Sequence, residues 1–221
     1  MNYCEMRTRV QETAVMAYQE KLVAGTSGNV SEFDRKEGVM AITPSDLSYK
    51  IMKPEDIVIM KLDGEIIEGN WNPSSEWRLH AGIYADMEDV NAVVHTHSPY
   101  ATSFAVIHEN IPVILIEILP FLGGDLRLAK FGLPGTFEVA TNAVQAMTNP
   151  RRHACLLENH GVAVVGASLE QAYIRAVYVE DAATIYHYAR QVGHPKLVSY
   201  EAEKELRKRY KLDENKGSVH H

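Results

Sequence analysis

The sequence Val-Asn-Ala-Val-Val-His-Thr-His-Ser occupies residues 90–98 and is the stretch from which both the fold and the site can be worked out. An apolar run with strand character ends in two histidines that a single residue separates. Because side chains on a strand alternate between its faces, His95 and His97 point to the same side. Two imidazoles that converge from one strand end can bind a borderline metal ion, and a third ligand from elsewhere would complete the site. A structural histidine pair without a metal is the alternative interpretation.

The composition of this 221-residue chain is that of an ordinary globular protein. Hydrophobic residues make up 46% of the sequence and charged residues 23%, and the length is sufficient for one domain with a full core. A formal net charge of −7 argues against a general nucleic-acid or membrane-surface binder, which needs clustered lysine and arginine. The only cysteines, Cys4 and Cys155, are far apart, which fits a reducing compartment. We therefore expect a cytoplasmic protein with no nucleic-acid or membrane partner.

The domain boundaries follow from the absence of a linker within the sequence. We expect a single domain over residues 1–212, followed by a flexible tail at residues 213–221. The last five residues, Gly-Ser-Val-His-His, resemble the remnant of an affinity tag, so they are left out of the site.

Hydrophobic periodicity predicts helices and strands in mixed order. An Asp63-Gly64 turn between two apolar runs indicates a β-hairpin, and Ser168 with Gln171 forms the capping box of a long helix. The predicted strands are 39–43, 57–62, 65–68, 90–97, 111–119, 154–158 and 162–165, and the predicted helices are 5–23, one starting near 73, 99–108, 136–147, one following 168, and 200–211. This order predicts a central, mostly antiparallel sheet with helices packed on it.

Two segments have the features of an anion site. Residues 25–31, Gly-Thr-Ser-Gly-Asn-Val-Ser, form a loop of small residues whose backbone N–H groups can cradle an anion, although a plain connecting turn is the alternative. Residues 73–76, Pro-Ser-Ser-Glu, precede a helix whose N-terminus favours a phosphate or carboxylate. Glu76 by itself has a simpler explanation, since acidic residues are common at helix N-termini.

Two further residues are candidates for chemistry. His160 lies between two apolar strands at the tip of a predicted hairpin, so we predict it as the third metal ligand. Glu117 lies within the apolar run 111–119, where a carboxylate is costly to bury unless it is paired or belongs to a site. An edge-facing or interface glutamate is the alternative.

The ordered set of these motifs is more specific than any one of them. Gly-Thr-Ser-Gly-Asn, Ile-Thr-Pro-Ser, Pro-Ser-Ser-Glu, His-Thr-His and Glu-Asn-His-Gly, in this order, resemble the class II aldolase/adducin family and its sugar-phosphate aldolases. The resemblance runs from about residue 5 to residue 192. It implies a three-layer α/β/α fold and a homotetramer with active sites between subunits. It also implies one divalent metal ion per subunit, usually Zn²⁺, with Mn²⁺ and Co²⁺ left open.

The resemblance also implies roles for individual residues. His95, His97 and His160 would be the metal ligands, and Glu76 would be the acid/base and also contact the metal. The substrate phosphate would be bound by residues of the two anion segments and the strand between them, namely Gly28, Asn29, Thr43, Ser74 and Ser75. For Glu76 to exchange a proton near neutral pH, its pKa should be raised by partial burial and tuned by the metal.

Two positions depart from the family pattern. Where the resembling aldolases carry a catalytic tyrosine, this sequence has Ile116, next to Glu117. We therefore predict that Glu117 or Tyr210, from the same or a neighbouring subunit, supplies part of that role, and that a pocket lined by Ile116 prefers a short deoxy or methyl-ended aldehyde. Where the related epimerases have an aspartate, this sequence has Pro120, which favours an aldolase.

The predicted activity is cleavage of a ketose 1-phosphate, such as L-fuculose 1-phosphate or a 5-deoxypentulose 1-phosphate, to dihydroxyacetone phosphate and a short aldehyde. The same site in a pentulose-5-phosphate 4-epimerase or a methylthioribulose-1-phosphate dehydratase is the nearest alternative. An adducin-like interaction module without catalysis is the alternative of a different class.

Overall fold

The computed structural model describes residues 3–148 and 150–212. Its strands are β1 Asn29–Asp34, β2 Val39–Ile42, β3 Val58–Lys61, β4 Ile66–Glu68, β5 Ala92–Thr96, β6 Arg127–Ala129, β7 Ala154–Leu157 and β8 Gly161–Gly166. Its α-helices are α1 Cys4–Gln19, α2 Trp77–Asp86, α3 Pro99–Val106, α4 Ile118–Leu122, α5 Phe137–Met147, α6 Leu169–Val192 and α7 Tyr200–Arg209. A short 3₁₀ helix spans Pro54–Asp56.

The described strands form one sheet in the order β4-β3-β2-β1-β5-β8-β7-β6. Every neighbouring pair in it is antiparallel except β6 and β7. β5 therefore lies inside the sheet, with Asn29 of β1 opposite His95 on one side and Ala163 of β8 opposite His95 on the other. The prediction of a mostly antiparallel sheet is confirmed.

The two faces of the sheet carry separate hydrophobic cores because side chains alternate along each strand. Val94 of β5 packs into the core that α1, α3, α4 and α6 cover, whereas Val93 packs into the core that α2 and α5 cover. Strands buried on both faces read as continuous apolar runs, as β5 and β8 do. The three-layer α/β/α architecture is therefore confirmed.

Most predicted elements are present, with helix α2 beginning at Trp77 rather than near residue 73. The predicted strand at 111–119 is wrong: Ile111 makes one isolated bridge to Leu126, the next residues run as an irregular extended segment, and α4 begins at Ile118. Ile111, Val113, Ile118 and Leu119 are buried by packing against the core, the Val113 carbonyl accepts the N–H of Val198, and Ile116 is exposed. The same apolar run is compatible with a paired strand and with an irregular segment packed on the core, so the sequence pattern cannot distinguish them. Strands β1 and β6 are not among the predicted elements.

Among the described residues, no helix is both long and apolar enough to cross a membrane. The division into a domain at 1–212 and a tail at 213–221 stays a prediction, and the tail lies outside the described residues.

Candidate active site

The candidate active site lies where the end of β5 meets the start of β8 and the N-terminus of α2. β5 and β8 are antiparallel, so the last residues of β5 are next to Gly161, the first residue of β8. His95 is on β5, His97 follows its last residue, and His160 directly precedes β8. Glu76 is the N-cap residue of α2. Sheet topology thus brings together side chains that are up to 84 positions apart in the sequence.

Short distances join the four side chains. His95 Nε2 lies 3.0 Å from His97 Nε2 and 3.1 Å from Glu76 Oε2. His160 Nε2 lies 2.9 Å from the other carboxylate oxygen, Oε1. His95 is completely buried, whereas the side chains of Glu76 and His160 are 13% and 12% exposed. The cluster is therefore nearly enclosed, with an opening on the side of Glu76 and His160.

The strand pairing fixes the histidine orientations. The N–H at His95 Nδ1 donates to the Val162 carbonyl at 2.8 Å, and this leaves Nε2 directed at the cluster. Gly161 allows the close approach, because a Cβ at this residue would lie 2.4 Å from the Thr96 carbonyl oxygen and 3.0 Å from His97 Cδ2. Asn159 makes the preceding turn with a left-handed φ of 53°, a conformation that asparagine tolerates.

The electrostatics of the cluster differ from the expectation for Glu76. Burial raises the pKa of Glu76, but His95 and His160 lower it by more, so the pKa lies well below its usual range. Burial alone would lower the pKa of His95, but the adjacent Glu76 carboxylate raises it above its usual value. Burial lowers the pKa of His97 to about 4, and His95 and His160 add to this effect. The predicted upward shift of the Glu76 pKa is therefore wrong for the chain by itself.

The donor set fits a divalent metal ion. Ligand atoms of Glu76, His95, His97 and His160 all lie within 4.8 Å of one another. Imidazole nitrogens and a carboxylate oxygen are preferred ligands of Zn²⁺ and similar ions. A ligating imidazole must present a lone pair, so a metal ion would replace the proton that His95 shares with Glu76.

The predicted phosphate-binding residues lie beside this cluster. The Ser74 N–H donates to the Thr43 carbonyl at 3.0 Å, which holds the segment before α2 against the end of β2. Thr43 Oγ1 accepts the Val30 N–H, and Ser74 Oγ accepts the Glu76 N–H. Each hydroxyl is thus oriented by a backbone donor while its own proton can be donated to a phosphate oxygen. Ser75 is exposed, in contrast to Thr43 and Ser74, which are buried.

Asn29, which the sequence predicts as a phosphate-binding residue, is bound through its side chain to Glu76. Its side chain is 3% exposed, its Nδ2 donates to Glu76 Oε2 at 3.0 Å, and its Oδ1 faces His80 Nε2. Its amide is therefore bound to the candidate acid/base itself. His80 is not among the residues predicted from the sequence. The available signal was its spacing, since residues 76 and 80 lie one helical turn apart on the same face of α2.

Glu117 and Tyr210 are not brought to this site by their own chain. Segment 112–125 leaves the sheet at Ile111 and returns at Leu126, next to the start of β7, whereas His160 follows the end of β7. Glu117 is the exposed N-cap residue of α4. Tyr210 is the C-cap residue of α7, which packs against α4, and is also exposed. A role for either residue requires a neighbouring subunit.

The fold and the cluster together are those of a layered α/β enzyme in which a histidine–carboxylate cluster able to bind a metal ion lies beside the hydroxyls of Thr43 and Ser74. The sequence profile of the class II aldolase and adducin N-terminal domain matches residues 8–187. The chain belongs to the class II aldolase and adducin family.

Relatives in this family are named as aldolases. The chain is 38% identical over 210 residues to the 5-deoxy-D-ribulose 1-phosphate aldolase of Bacillus thuringiensis, covering 93% of this chain and 97% of the relative. It is 38% identical over 174 residues to the 5-methylthioribulose-1-phosphate/5-deoxyribulose-1-phosphate aldolase of Rhodospirillum rubrum, covering 79% and 76% of the two chains. A solved structure of an L-fuculose 1-phosphate aldolase superposes with a TM-score of 0.89 at 34% identity, covering 96% of this chain and 98% of the other. The protein is an aldolase, a carbon–carbon lyase.

Proposed function

We propose that this aldolase cleaves a 5-deoxypentulose 1-phosphate to dihydroxyacetone phosphate and a short aldehyde. The observation that carries the proposal is the cluster of Glu76 and three histidines, with ligand atoms within 4.8 Å, next to the Thr43 and Ser74 hydroxyls. The choice of a deoxypentulose is supported by the names of the Bacillus thuringiensis and Rhodospirillum rubrum relatives. An exposed isoleucine at position 116, on a surface that a neighbouring subunit would cover, agrees with a methyl-ended aldehyde.

His95, His97, His160 and Glu76 would hold one divalent metal ion per subunit, and we expect Zn²⁺, with Mn²⁺ or Co²⁺ as alternatives. When bound, this ion supplies Lewis-acid polarisation of substrate oxygens.

The chain's own residues would bind and orient the substrate and transfer the proton. Hydroxyls of Thr43, Ser74 and Ser75, with the backbone at Gly28, would bind the phosphate at a distance from the bond that breaks, which orients the substrate. As the C3–C4 bond breaks, the C4 hydroxyl would lose its proton to Glu117 or Tyr210 of a neighbouring subunit, and Glu76 would give its proton to C3; both transfers are reversed in the direction of synthesis. Ser74 Oγ accepts the Glu76 N–H, so the phosphate site and the acid/base are joined through two residues of one segment.

Release of dihydroxyacetone phosphate from a panel of ketose 1-phosphates tests this proposal. We expect release to be greatest for 5-deoxypentulose 1-phosphates, to stop with a chelator, and to return with Zn²⁺, Mn²⁺ or Co²⁺. Glu76→Gln should lower kcat by about 100- to 10,000-fold, the usual contribution of a general acid/base. Glu65→Gln, on the exposed β3–β4 hairpin, is the control with unchanged kcat. If the products are epimerised or dehydrated sugar phosphates and no dihydroxyacetone phosphate is released, the result would contradict the proposed reaction and favour the epimerase or the dehydratase.

We further propose a homotetramer in the cytoplasm, with Glu117 or Tyr210 reaching the site of a neighbouring subunit. The exposure of both residues, on packed helices α4 and α7, supports this arrangement. Tyr210→Phe and His160→Ala subunits, each inactive alone, should regain activity when mixed if the site is shared, and light scattering should give the tetramer mass. A Glu117→Gln enzyme that cleaves at the normal rate would remove Glu117 from the scheme. A charged sugar phosphate does not cross membranes unaided, which supports the cytoplasmic location.

A further inference from the structure

A buried row of polar side chains runs from the core on the α2 side of the sheet to Glu76. Tyr84 and His80 of α2 are fully buried, as is Ser31 of β1. Tyr84 Oη lies 2.6 Å from Ser31 Oγ, and Ser31 Oγ lies 2.6 Å from His80 Nδ1. His80 Nε2 lies 2.5 Å from Asn29 Oδ1, and Asn29 Nδ2 lies 3.0 Å from Glu76 Oε2. Five side chains are thus joined by four successive hydrogen bonds.

The direction of these hydrogen bonds follows from their end at Glu76. A carboxylate only accepts, so Asn29 must present its NH₂ group to Glu76 and its oxygen to His80. His80 Nε2 therefore carries a proton and donates it. Burial lowers the pKa of His80 to about 3, so the ring is neutral and Nδ1 accepts. Ser31 then donates to Nδ1, so the donors from Ser31 onwards point towards Glu76, and the Tyr84 hydroxyl lies against Ser31 Oγ and donates to the Ser31 carbonyl at 3.0 Å.

We propose that His80 is a positioning residue that, through Asn29, sets the carboxylate orientation of Glu76 for the cleavage reaction proposed above. If the side-chain amide of Asn29 rotated by 180°, its oxygen would face the Glu76 carboxylate and its NH₂ group would face the His80 N–H. Both hydrogen bonds would then be lost inside a nearly water-free site, where unpaired polar groups are costly. The proton on His80 Nε2 therefore holds Asn29 in one orientation.

Asn29 in turn determines which histidine each carboxylate oxygen of Glu76 faces. Oε2 receives the Asn29 N–H and faces His95 Nε2, whereas Oε1 faces His160 Nε2 at 2.9 Å. Residues that hydrogen-bond to metal ligands without binding the metal orient those ligands. Their removal typically lowers metal affinity or activity by about 10- to 100-fold. His80 would have this effect without touching substrate, metal or Glu76.

The tautomer of His80 tests the proposal in the metal-free protein. In ¹⁵N-detected NMR, the His80 ring should have a protonated Nε2 and an unprotonated Nδ1 near neutral pH. A protonated Nδ1 with a bare Nε2 would overturn the proposal, because Asn29 could then no longer be held by an Nε2 donor. This measurement does not depend on turnover, so it stands even if the substrate proposed above proves wrong.

Variants at position 80 provide the second test. A glutamine side-chain NH₂ can replace the Nε2 donor, whereas phenylalanine keeps the ring shape without one. We expect His80→Phe to lower kcat by about 10- to 100-fold and to weaken Zn²⁺ binding by a similar factor, with KM within about threefold. His80→Gln should remain within about fivefold of the natural enzyme in kcat.

Ile83→Val is the matched control, because Ile83 is buried on the same helix and outside the polar row. This variant should lose stability without a fall in kcat or metal affinity. Equal kcat and Zn²⁺ affinity in His80→Phe and the natural enzyme would overturn the proposal, as would a loss in His80→Gln as large as that in His80→Phe. If His80→Phe fails to fold, the tautomer and the His80→Gln variant decide the question.

Discussion

Gly28 precedes β1 with a φ of +75°, a backbone conformation in which an L side chain is strained. A Cβ at this residue would lie 2.4 Å from Val23 Cγ1 and 2.8 Å from the carbonyl oxygen of His95. The backbone of the loop before β1 therefore packs directly on the end of β5, which carries the histidines. Tyr49 supports the same loop, since its hydroxyl lies 3.0 Å from the Ser27 carbonyl and 2.7 Å from the Gly28 carbonyl.

Substitution of Gly28 by alanine should lower both stability and metal affinity. We expect Gly28→Ala to lower the free energy of unfolding by about 2 to 4 kcal/mol, which combines φ strain with overpacking. Gly25→Ala is the matched control: its φ is also positive, at +62°, but a Cβ there meets nothing within 4 Å. The control should cost only about 1 kcal/mol. Urea unfolding and Zn²⁺ titration of both variants measure the difference, and equal losses would contradict the role of the close contact.

Helix α2 acts as one rigid element that holds Glu76 at its N-cap and packs on α5 further along. Gly82 makes the close contact, since a Cβ there would lie 2.4 Å from Ala140 Cβ. Both residues face the core on the α2 side of the sheet, where Ala140 is buried. Close packing of α2 on α5 thus requires a residue without a Cβ at position 82, and the same helix carries the candidate acid/base Glu76 at its N-cap.

A double-mutant cycle between α2 and α5 measures this dependence. Gly82→Ala should destabilise the protein by about 1 to 3 kcal/mol through overpacking, less the gain in helix propensity of about 1 kcal/mol. Ala140→Gly makes room for the added methyl group, so the double variant should recover part of that loss with a coupling of about 0.5 kcal/mol or more. Strictly additive free energies of unfolding would show that the two helices adjust independently of this contact.

The whole molecule carries buried neutral histidines that link its stability to pH. Burial lowers the pKa of His80 to about 3, and burial with nearby Arg175 and Arg151 lowers that of His153 to about 3. In the unfolded chain both rings take up protons near the ordinary histidine pKa, about 6.5. Between about pH 6.5 and pH 3 the unfolded state therefore binds more protons than the folded state. The free energy of unfolding must fall as the pH falls through this range.

We expect the metal-free protein to lose about 1.4 kcal/mol per pH unit for each of these histidines below pH 6.5. His153→Gln should reduce this slope by the contribution of one histidine. Urea unfolding at a series of pH values from 7.5 to 5 measures the slopes in the presence of a chelator. An unchanged slope in His153→Gln would show that this ring is protonated in the folded state.

At the scale of elements, sequence patterns predicted the hairpins, the buried strands and most helices. They worked where turn residues and periodicity agree, as at Asp63-Gly64 and at Ser168, whose side chain accepts the Gln171 N–H. They failed at 111–119, because two ways of burying an apolar run leave the same pattern in the sequence. The error also changed the interpretation of Glu117, which is an exposed helix N-cap residue and not a buried strand residue.

Residue types and their spacing were enough to predict the layered fold, the family and the set of side chains able to bind a metal, because both are local properties of the chain. How those side chains act on one another follows from the folded arrangement and could not be predicted from the sequence. The downward pKa shift of Glu76 arises from histidines on β5 and before β8, and the orientation of Asn29 arises from His80 on α2. Electrostatic coupling and hydrogen-bond direction depend on distances across the sheet, and those distances exist only once the strands have paired.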